Sequence, residues 1–135
     1  MRTQLIYMTN TSNASVLADG IIPLSTIQRK YGCAIVEGTN SIILRVPGYY
    51  KVNATITLTA PAAGDAAIKL QKNNADVPGM ESTETITTAT TEVRSLTITG
   101  IVRVYCNEGF ATITLVNSGV DATISNVSLD VELLS

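Results

Sequence analysis

The amino-acid sequence predicts one all-β domain, an antiparallel sandwich or barrel built from short strands. Three observations predict this fold class: the composition, a period-two alternation of apolar and polar residues, and turn-forming residues between the alternating segments. The 135 residues include 19 Thr, 14 Ile and 12 Val but one Phe and no Trp, and β-branched side chains favour strands. The length fits a single domain. The spacing of an amphipathic helix does not persist over any helical length.

The clearest strand is predicted over residues 49–59, where apolar and polar side chains alternate without interruption. Successive residues of a strand point to opposite faces of a sheet, so one set is expected in the core and the other on the opposite face. The expected core set is Tyr50, Val52, Ala54, Ile56 and Leu58. The opposite set includes Tyr49, Lys51, Asn53 and Thr55.

A second strand is predicted over residues 96–106 and a last one over residues 127–133. Gly100, inside the second strand, indicates a bulge or a close backbone approach. The expected core residues of these two strands include Val102, Val104, Cys106, Leu129 and Val131. The opposite face of the second strand carries Ile101, Arg103 and Tyr105.

Shorter strands and turns complete the predicted sandwich. Turn-forming pairs such as Asp19-Gly20, Pro47-Gly48 and Ser118-Gly119 separate the alternating segments. Eight or more short strands at this spacing are typical of an antiparallel sandwich or barrel. A turn is expected around residues 23–28. The shorter strands are predicted over residues 4–9, 33–36, 42–46, 66–72, 83–89 and 111–115.

Composition and charge argue against several classes of function. Nine Lys and Arg against eleven Asp and Glu give a net charge of −2, so the chain lacks the positive field that nucleic-acid binding needs. The absence of His excludes Ser-His-Asp and Cys-His catalytic sites and His-ligated metal sites. The acidic residues are scattered mostly in turns and on polar strand faces rather than paired. We therefore expect no catalytic residue, no metal and no cofactor.

The first ten residues lack the apolar run of a signal peptide, and no segment approaches the roughly 20 apolar residues that cross a bilayer. The expectation is a protein made in a cytoplasm, without a membrane partner. Cys33 and Cys106 lie far apart in the sequence. They are either a disulfide between two distant strands or two buried, reduced thiols, and a cytoplasm favours the thiols.

Three segments carry a family resemblance. Residues 46–54, Val-Pro-Gly-Tyr-Tyr-Lys-Val-Asn-Ala, resemble the entry into the central strand of the tumour-necrosis-factor and complement-type trimeric jelly rolls. Residues 101–109 resemble a later strand of that fold and the polar turn after it. Residues 70–79, Leu-Gln-Lys-Asn-Asn-Ala-Asp-Val-Pro-Gly, are similar to small bacterial and prophage proteins of this type and to the heads of Bacillus collagen-like exosporium glycoproteins.

The resemblance implies a two-sheet antiparallel jelly roll that forms a threefold homotrimer. Residues 19–135 would form the jelly-roll domain, and residues 1–18 an N-terminal arm or first strand that attaches the protein to a partner. The strand that begins near Gly48 would lie by the threefold axis. The expected trimer interface is Tyr49, Lys51, Asn53, Thr55, Ile101, Arg103 and Tyr105.

The functional hypothesis is a non-enzymatic trimeric module on the surface of a bacteriophage virion, as a capsid decoration or head-fibre protein. Its partners would be two further copies of itself and, through residues 1–18, a major capsid protein or another virion protein. One alternative is a glycan-binding adhesin or lectin on a phage tail fibre, which would bind a host-surface glycan. Another is a spore-surface head domain of the exosporium type.

Overall fold

The computed structural model describes residues 4–134, in which eleven β-strands form and no helix is present. Within this range there is accordingly no helix that could span a membrane. The strands are β1 (Leu5–Asn10), β2 (Ala14–Val16), β3 (Thr26–Tyr31), β4 (Ile35–Gly38), β5 (Ser41–Leu44), β6 (Gly48–Thr59), β7 (Gly64–Lys72), β8 (Ala75–Ile86), β9 (Arg94–Val104), β10 (Ala111–Asn117) and β11 (Ala122–Leu133).

The strands form two sheets that pack face to face. The first sheet has the order β3-β1-β11-β6-β9, and β2 pairs with the beginning of β11. The second sheet has the order β4-β5-β10-β7-β8. Every neighbouring pair of strands is antiparallel. The prediction of an all-β, two-sheet antiparallel sandwich is confirmed.

The core lies between the sheets and receives one face of each long strand. On β6 every second side chain, from Tyr50 to Leu58, is at most 1% exposed. Burial raises the pKa of the Tyr50 hydroxyl, which donates a hydrogen bond to the carbonyl oxygen of Val46. The neighbouring strands contribute the buried side chains of Val102, Val104, Leu129 and Val131.

The placement of Cys106 in the core is wrong. β9 ends at Val104, and the chain then turns, because the Tyr105 amide donates a hydrogen bond to the Glu108 carboxylate and the Glu108 amide donates to the Tyr105 carbonyl. Cys106 lies in this turn and is exposed.

Cys33 is also exposed, and both thiols are free. The interpretation of two buried thiols is therefore corrected at both positions. The disulfide alternative also fails, because the two cysteines follow β3 and β9, the opposite edges of the first sheet. Four strand spacings of about 4.8 Å put these edges roughly 19 Å apart, far beyond the reach of a disulfide.

Two strands were not predicted, and several others differ from their predicted bounds; β11, for example, begins at Ala122 rather than at residue 127. β2 is absent from the predictions, and β3 begins at Thr26, where a turn was expected. β8 begins at Ala75 rather than at residue 83. β3 is an edge strand with mostly exposed side chains, so it lacks the alternation on which the prediction depended.

Gly100 allows the sandwich to close at its β8–β9 edge. The pairing of β6 with β9 continues through Gly100, which lies opposite Val52, so the predicted bulge is not found there. A Cβ atom at Gly100 would lie only 2.9 Å from the sulfur of Met80. The close approach is therefore made by a side chain of β8, and Met80 is buried against the core.

The N-terminal strand is part of the first sheet. β1 lies between β3 and β11, and its residues Ile6 and Met8 are completely buried. Residues 5–10 therefore form a strand of the first sheet. Residues 1–3 of the predicted attachment segment lie outside the described part of the chain.

Asn117 connects the first 20 residues to the turn between β10 and β11. The residue is 1% exposed. Its side-chain amide donates hydrogen bonds to the carbonyl oxygens of Val16 and Val120, at 3.1 and 2.9 Å. Its side-chain oxygen accepts a hydrogen bond from the Gly119 amide at 3.1 Å. One buried side chain thereby satisfies backbone groups from two separate segments.

Replacing Asn117 with Ala should lower the free energy of unfolding by about 3 kcal/mol, because buried backbone groups would lose their partners. The measurement is urea denaturation at neutral pH. Asn126→Ala is the matched control, since Asn126 is exposed and should change stability by less than about 0.5 kcal/mol. Equal effects of the two substitutions would contradict the role given to Asn117.

Candidate functional site

The candidate site is the outer face of β6, β9 and β11 in the first sheet, the side turned away from the core. The backbone register places Tyr49 opposite Arg103, and Lys51 opposite Ile101. The Thr99 hydroxyl donates a hydrogen bond to the Asn53 side-chain oxygen at 2.9 Å. This outer face includes the residues predicted for the trimer interface, with Tyr105 directly after β9, together with Asp130 and Glu132 of β11.

Large side chains are exposed on the outer face. Tyr49 is 44% exposed, Ile101 58% and Tyr105 49%. Tyr49 and Ile101 lie on neighbouring strands, and Tyr105 follows β9 directly. Scattered exposed apolar residues are ordinary, whereas a cluster of this kind indicates a surface that binds something.

Arg103 lies between two tyrosine rings. Its guanidinium carbon is 4.4 Å from the centroid of the Tyr105 ring and 5.2 Å from that of Tyr49. Both distances are within the range of a cation–π interaction. Among residues 4–134 the guanidinium has no hydrogen-bond acceptor and no ion-pair partner. The rings therefore orient a cation whose N–H groups are available to a partner from outside the chain.

Lys72, at the end of β7 in the second sheet, and Glu108, in the turn after β9, support this arrangement. The Lys72 ammonium is 2.8 Å from a Glu108 carboxylate oxygen and donates a hydrogen bond to the Arg103 carbonyl oxygen at 2.7 Å. It also lies 5.2 Å from the centroid of the Tyr105 ring. Hydrogen bonds from Lys72 and from the Tyr105 amide lower the pKa of Glu108 below its ordinary value.

The acidic side chains of β11 complete the outer face. Glu132 lies opposite Lys51 in the β6–β11 register, and Asp130 lies opposite Asn53. Neither acid forms an ion pair within residues 4–134. The outer face thus carries charges of both signs beside its exposed aromatic rings.

The sequence predicted seven residues of this face, and the sheet register brings them together. It did not predict the contribution of Lys72, Glu108, Asp130 or Glu132. The polar residues and glycine at 107–109 predicted a turn. They gave no sign of the ion pair between Glu108 and Lys72, because these two residues are 36 positions apart in the sequence. For the acids of β11 the alternation of residues 127–133 was a sufficient signal, because it already put them on the polar side.

A concave region separate from the outer face lies at the end of the sandwich where β3 and β11 end. It is an open groove of about 870 Å³. The groove brings together one arginine and one thiol but no carboxylate, so it lacks an acid–base pair. No cluster of three potential metal ligands occurs among residues 4–134. The groove is lined by Gln4, Tyr31, Gly32, Cys33, Ala34, Arg45, Val46 and Leu133.

No protein-family model matches this sequence, and no curated protein sequence matches it. Solved structures are similar in fold. Eiger TNF from S. frugiperda has a TM-score of 0.77 at 12% identity, and the match covers 100% of this chain and 94% of that one. The globular domain of zebrafish complement 1qA protein has a TM-score of 0.71 at 6% identity, with 98% of both chains covered.

A viral protein has the same architecture. The vertex protein P5 of PRD1 has a TM-score of 0.63 at 11% identity, and the match covers 98% of this chain and 73% of that one. At such low identities the similarity concerns the fold. The protein has the jelly-roll fold of the tumour necrosis factor and complement 1q domains, as the resemblance in its sequence implied.

Glu108 should contribute to the acid dependence of stability. Because folding lowers the pKa of Glu108 from the ordinary 4.5, the contribution is complete above that value and is lost as the pH falls through the lowered pKa. Glu108→Gln should therefore reduce the free energy of unfolding at pH 7, and the difference from the unmodified protein should shrink towards pH 3. Urea titrations at several pH values measure this difference in the free energy of unfolding. Glu84→Gln, at an exposed position of β8, is the control, and an equal pH dependence for both variants would contradict the assignment.

Proposed function

We propose that the protein is a non-enzymatic structural and interaction module, a homotrimeric jelly roll displayed on a bacteriophage virion as a capsid decoration or head-fibre protein. The observation that carries the proposal is the outer face of the first sheet, where Tyr49, Ile101, Arg103 and Tyr105 are exposed together. Tyr and Arg are enriched at protein interfaces. A threefold contact through this face is also what the resemblance to the trimeric jelly-roll family implies.

Two considerations support the virion as the location of this trimer. The first is the resemblance, suggested by the sequence alone, of residues 70–79 to small prophage proteins of the same type. The fold also occurs in the vertex protein P5 of PRD1. A homotrimer suits the local threefold axes of an icosahedral shell, and three attachment segments acting together gain avidity without new contacts.

The proposed attachment surface lies within residues 1–18 and contacts a major capsid protein or another virion protein. Most of β1 is buried in the sheet, so among residues 4–18 the exposed side chains lie mainly in the segment that follows β1. Leu17 is 68% exposed, directly after β2. Val93, which precedes β9, is also exposed, at 59%, but lies outside the proposed segment.

The purified protein should have the solution mass of three chains, measured by light scattering behind a sizing column. Tyr105→Asp should dissociate the trimer, because it places a carboxylate in each copy of the interface. Glu84→Ala, on the second sheet, should leave the mass unchanged. A stable monomer, or an unchanged mass and melting temperature for Tyr105→Asp, would contradict the interface.

A second candidate function is a glycan-binding adhesin or lectin, and the position of Arg103 between Tyr49 and Tyr105 favours it. A guanidinium binds carboxylates well, and aromatic rings can stack on a sugar. In the proposed trimer this surface is covered, whereas in a monomer it is open to a host-surface glycan. If the protein is a monomer that binds acidic sugars, and if Arg103→Gln abolishes this binding, the glycan-binding function would be preferred over the trimeric module.

The protein should band with the major capsid protein when phage particles from a culture of the source cell are purified in a density gradient. Leu17→Asp should reduce its incorporation at least tenfold, because a charge replaces an apolar contact of the attachment surface. Val93→Asp is the matched control and should be incorporated normally. Recovery in the spore fraction would instead favour the exosporium-type head domain.

A further inference from the structure

Four charged side chains on the outer face have no ion-pair partner within residues 4–134. They are the basic residues Lys51 and Arg103 and the acidic residues Asp130 and Glu132. The ion pairs found in this range join Lys69 to Asp76, Lys72 to Glu108, and Arg94 to Glu92, and none of them includes any of these four residues. Unpaired charges of both signs therefore occur side by side on the surface proposed as the interface.

The two acids and Arg103 occupy different parts of this face. β11 is the central strand of the first sheet, and β9 is an edge strand two positions away. Asp130 and Glu132 therefore lie near the middle of the sheet, while Arg103 lies at its edge. Two strand spacings separate them by roughly 10 Å, so they are separate patches of opposite charge on one surface.

We infer that Arg103 of one subunit binds the acidic pair Asp130 and Glu132 on the neighbouring subunit, an inference that rests on the proposed trimer. In a closed ring of three, each contact joins two different patches of the same chain. The edge of one first sheet would then meet the middle of the next. The positive charge of Arg103 at the edge of the sheet and the negative charges in its middle would attract each other in this head-to-tail contact. A twofold contact through β9 would instead bring two Arg103 side chains together.

The tyrosine rings explain why Arg103 rather than Lys51 makes this contact. Lys51 already faces Glu132 across the β6–β11 pair and has a flexible side chain. Arg103 is held between Tyr49 and Tyr105, so less side-chain freedom is lost when it binds. Its planar group can donate two parallel hydrogen bonds to one carboxylate. The contact repeats three times in the ring and would select this chain against other jelly rolls.

Charge reversal tests the pairing. Arg103→Glu, Glu132→Arg and Asp130→Arg are made singly, and Arg103→Glu is combined with each of the other two. Trimer dissociation is measured by sedimentation. A single reversal that breaks the pair leaves an unpaired charge in the interface. It should therefore raise the dissociation constant of the trimer at least about 30-fold. At least one double variant should restore assembly to within about tenfold of the unmodified protein. The matched control reverses the ion pair of the half-buried Lys69 and the exposed Asp76 on the second sheet and should leave assembly unchanged.

The outcomes separate this inference from the proposed function. If the unmodified protein is a monomer, the trimer itself fails. If the unmodified protein is a trimer but Arg103→Glu has no effect, or neither double variant restores assembly, the pairing is overturned and the trimer stands. Should a reversed variant fail to fold, the cycle is repeated with Arg103→Gln, Glu132→Gln and Asp130→Asn. Non-additive effects on assembly would then support the pairing, and additive effects would overturn it.

Discussion

The first sheet depends on the double pairing of β11. One side of this strand pairs with β6 over nearly its whole length, and the other pairs with β1 and β2. Because a slip of one residue would turn every side chain to the opposite face, this register determines both surfaces of the sheet at once. It buries Leu129 and Val131, and it turns Asp130 and Glu132 to the side of Lys51 and Arg103. The same strand register therefore determines which side chains of β11 enter the core and which lie on the candidate interface.

The outer face combines features that are individually ordinary. A half-exposed tyrosine or an unpaired surface charge is common on monomeric proteins. Here, however, Tyr49, Arg103 and Tyr105 stack on one another, and the Lys72–Glu108 ion pair holds the turn that presents Tyr105. The geometry of the face is therefore set by several contacts of the same chain before any partner binds, which reduces the entropy lost on association.

Period-two alternation was enough to predict β6, β9 and the second half of β11, but it did not give the full extent of β8 or the places where the strands end. Residues 49–59 alternate cleanly, and the faces of β6 followed directly from them. The same alternation extended β9 in error to Cys106, because the turn depends on hydrogen bonds of Glu108 that have no signature in an apolar pattern. β3 was missed because an edge strand with exposed side chains needs no alternation. The stacking of Arg103 also lay beyond prediction, since it requires the cross-strand register and the positions of side chains on two strands.

The order of strands in the first sheet has a consequence for synthesis of the chain. Without β11, this sheet consists of two separate hairpin-like pieces, β3 with β1 and β6 with β9. A growing chain leaves the ribosome N-terminus first, so these pieces exist before the strand that joins them. Until Leu133 has emerged, each piece presents an unpaired edge next to apolar side chains, a state that favours association with other nascent chains. A cell that makes many copies at once would need this interval to be short, or covered by a chaperone.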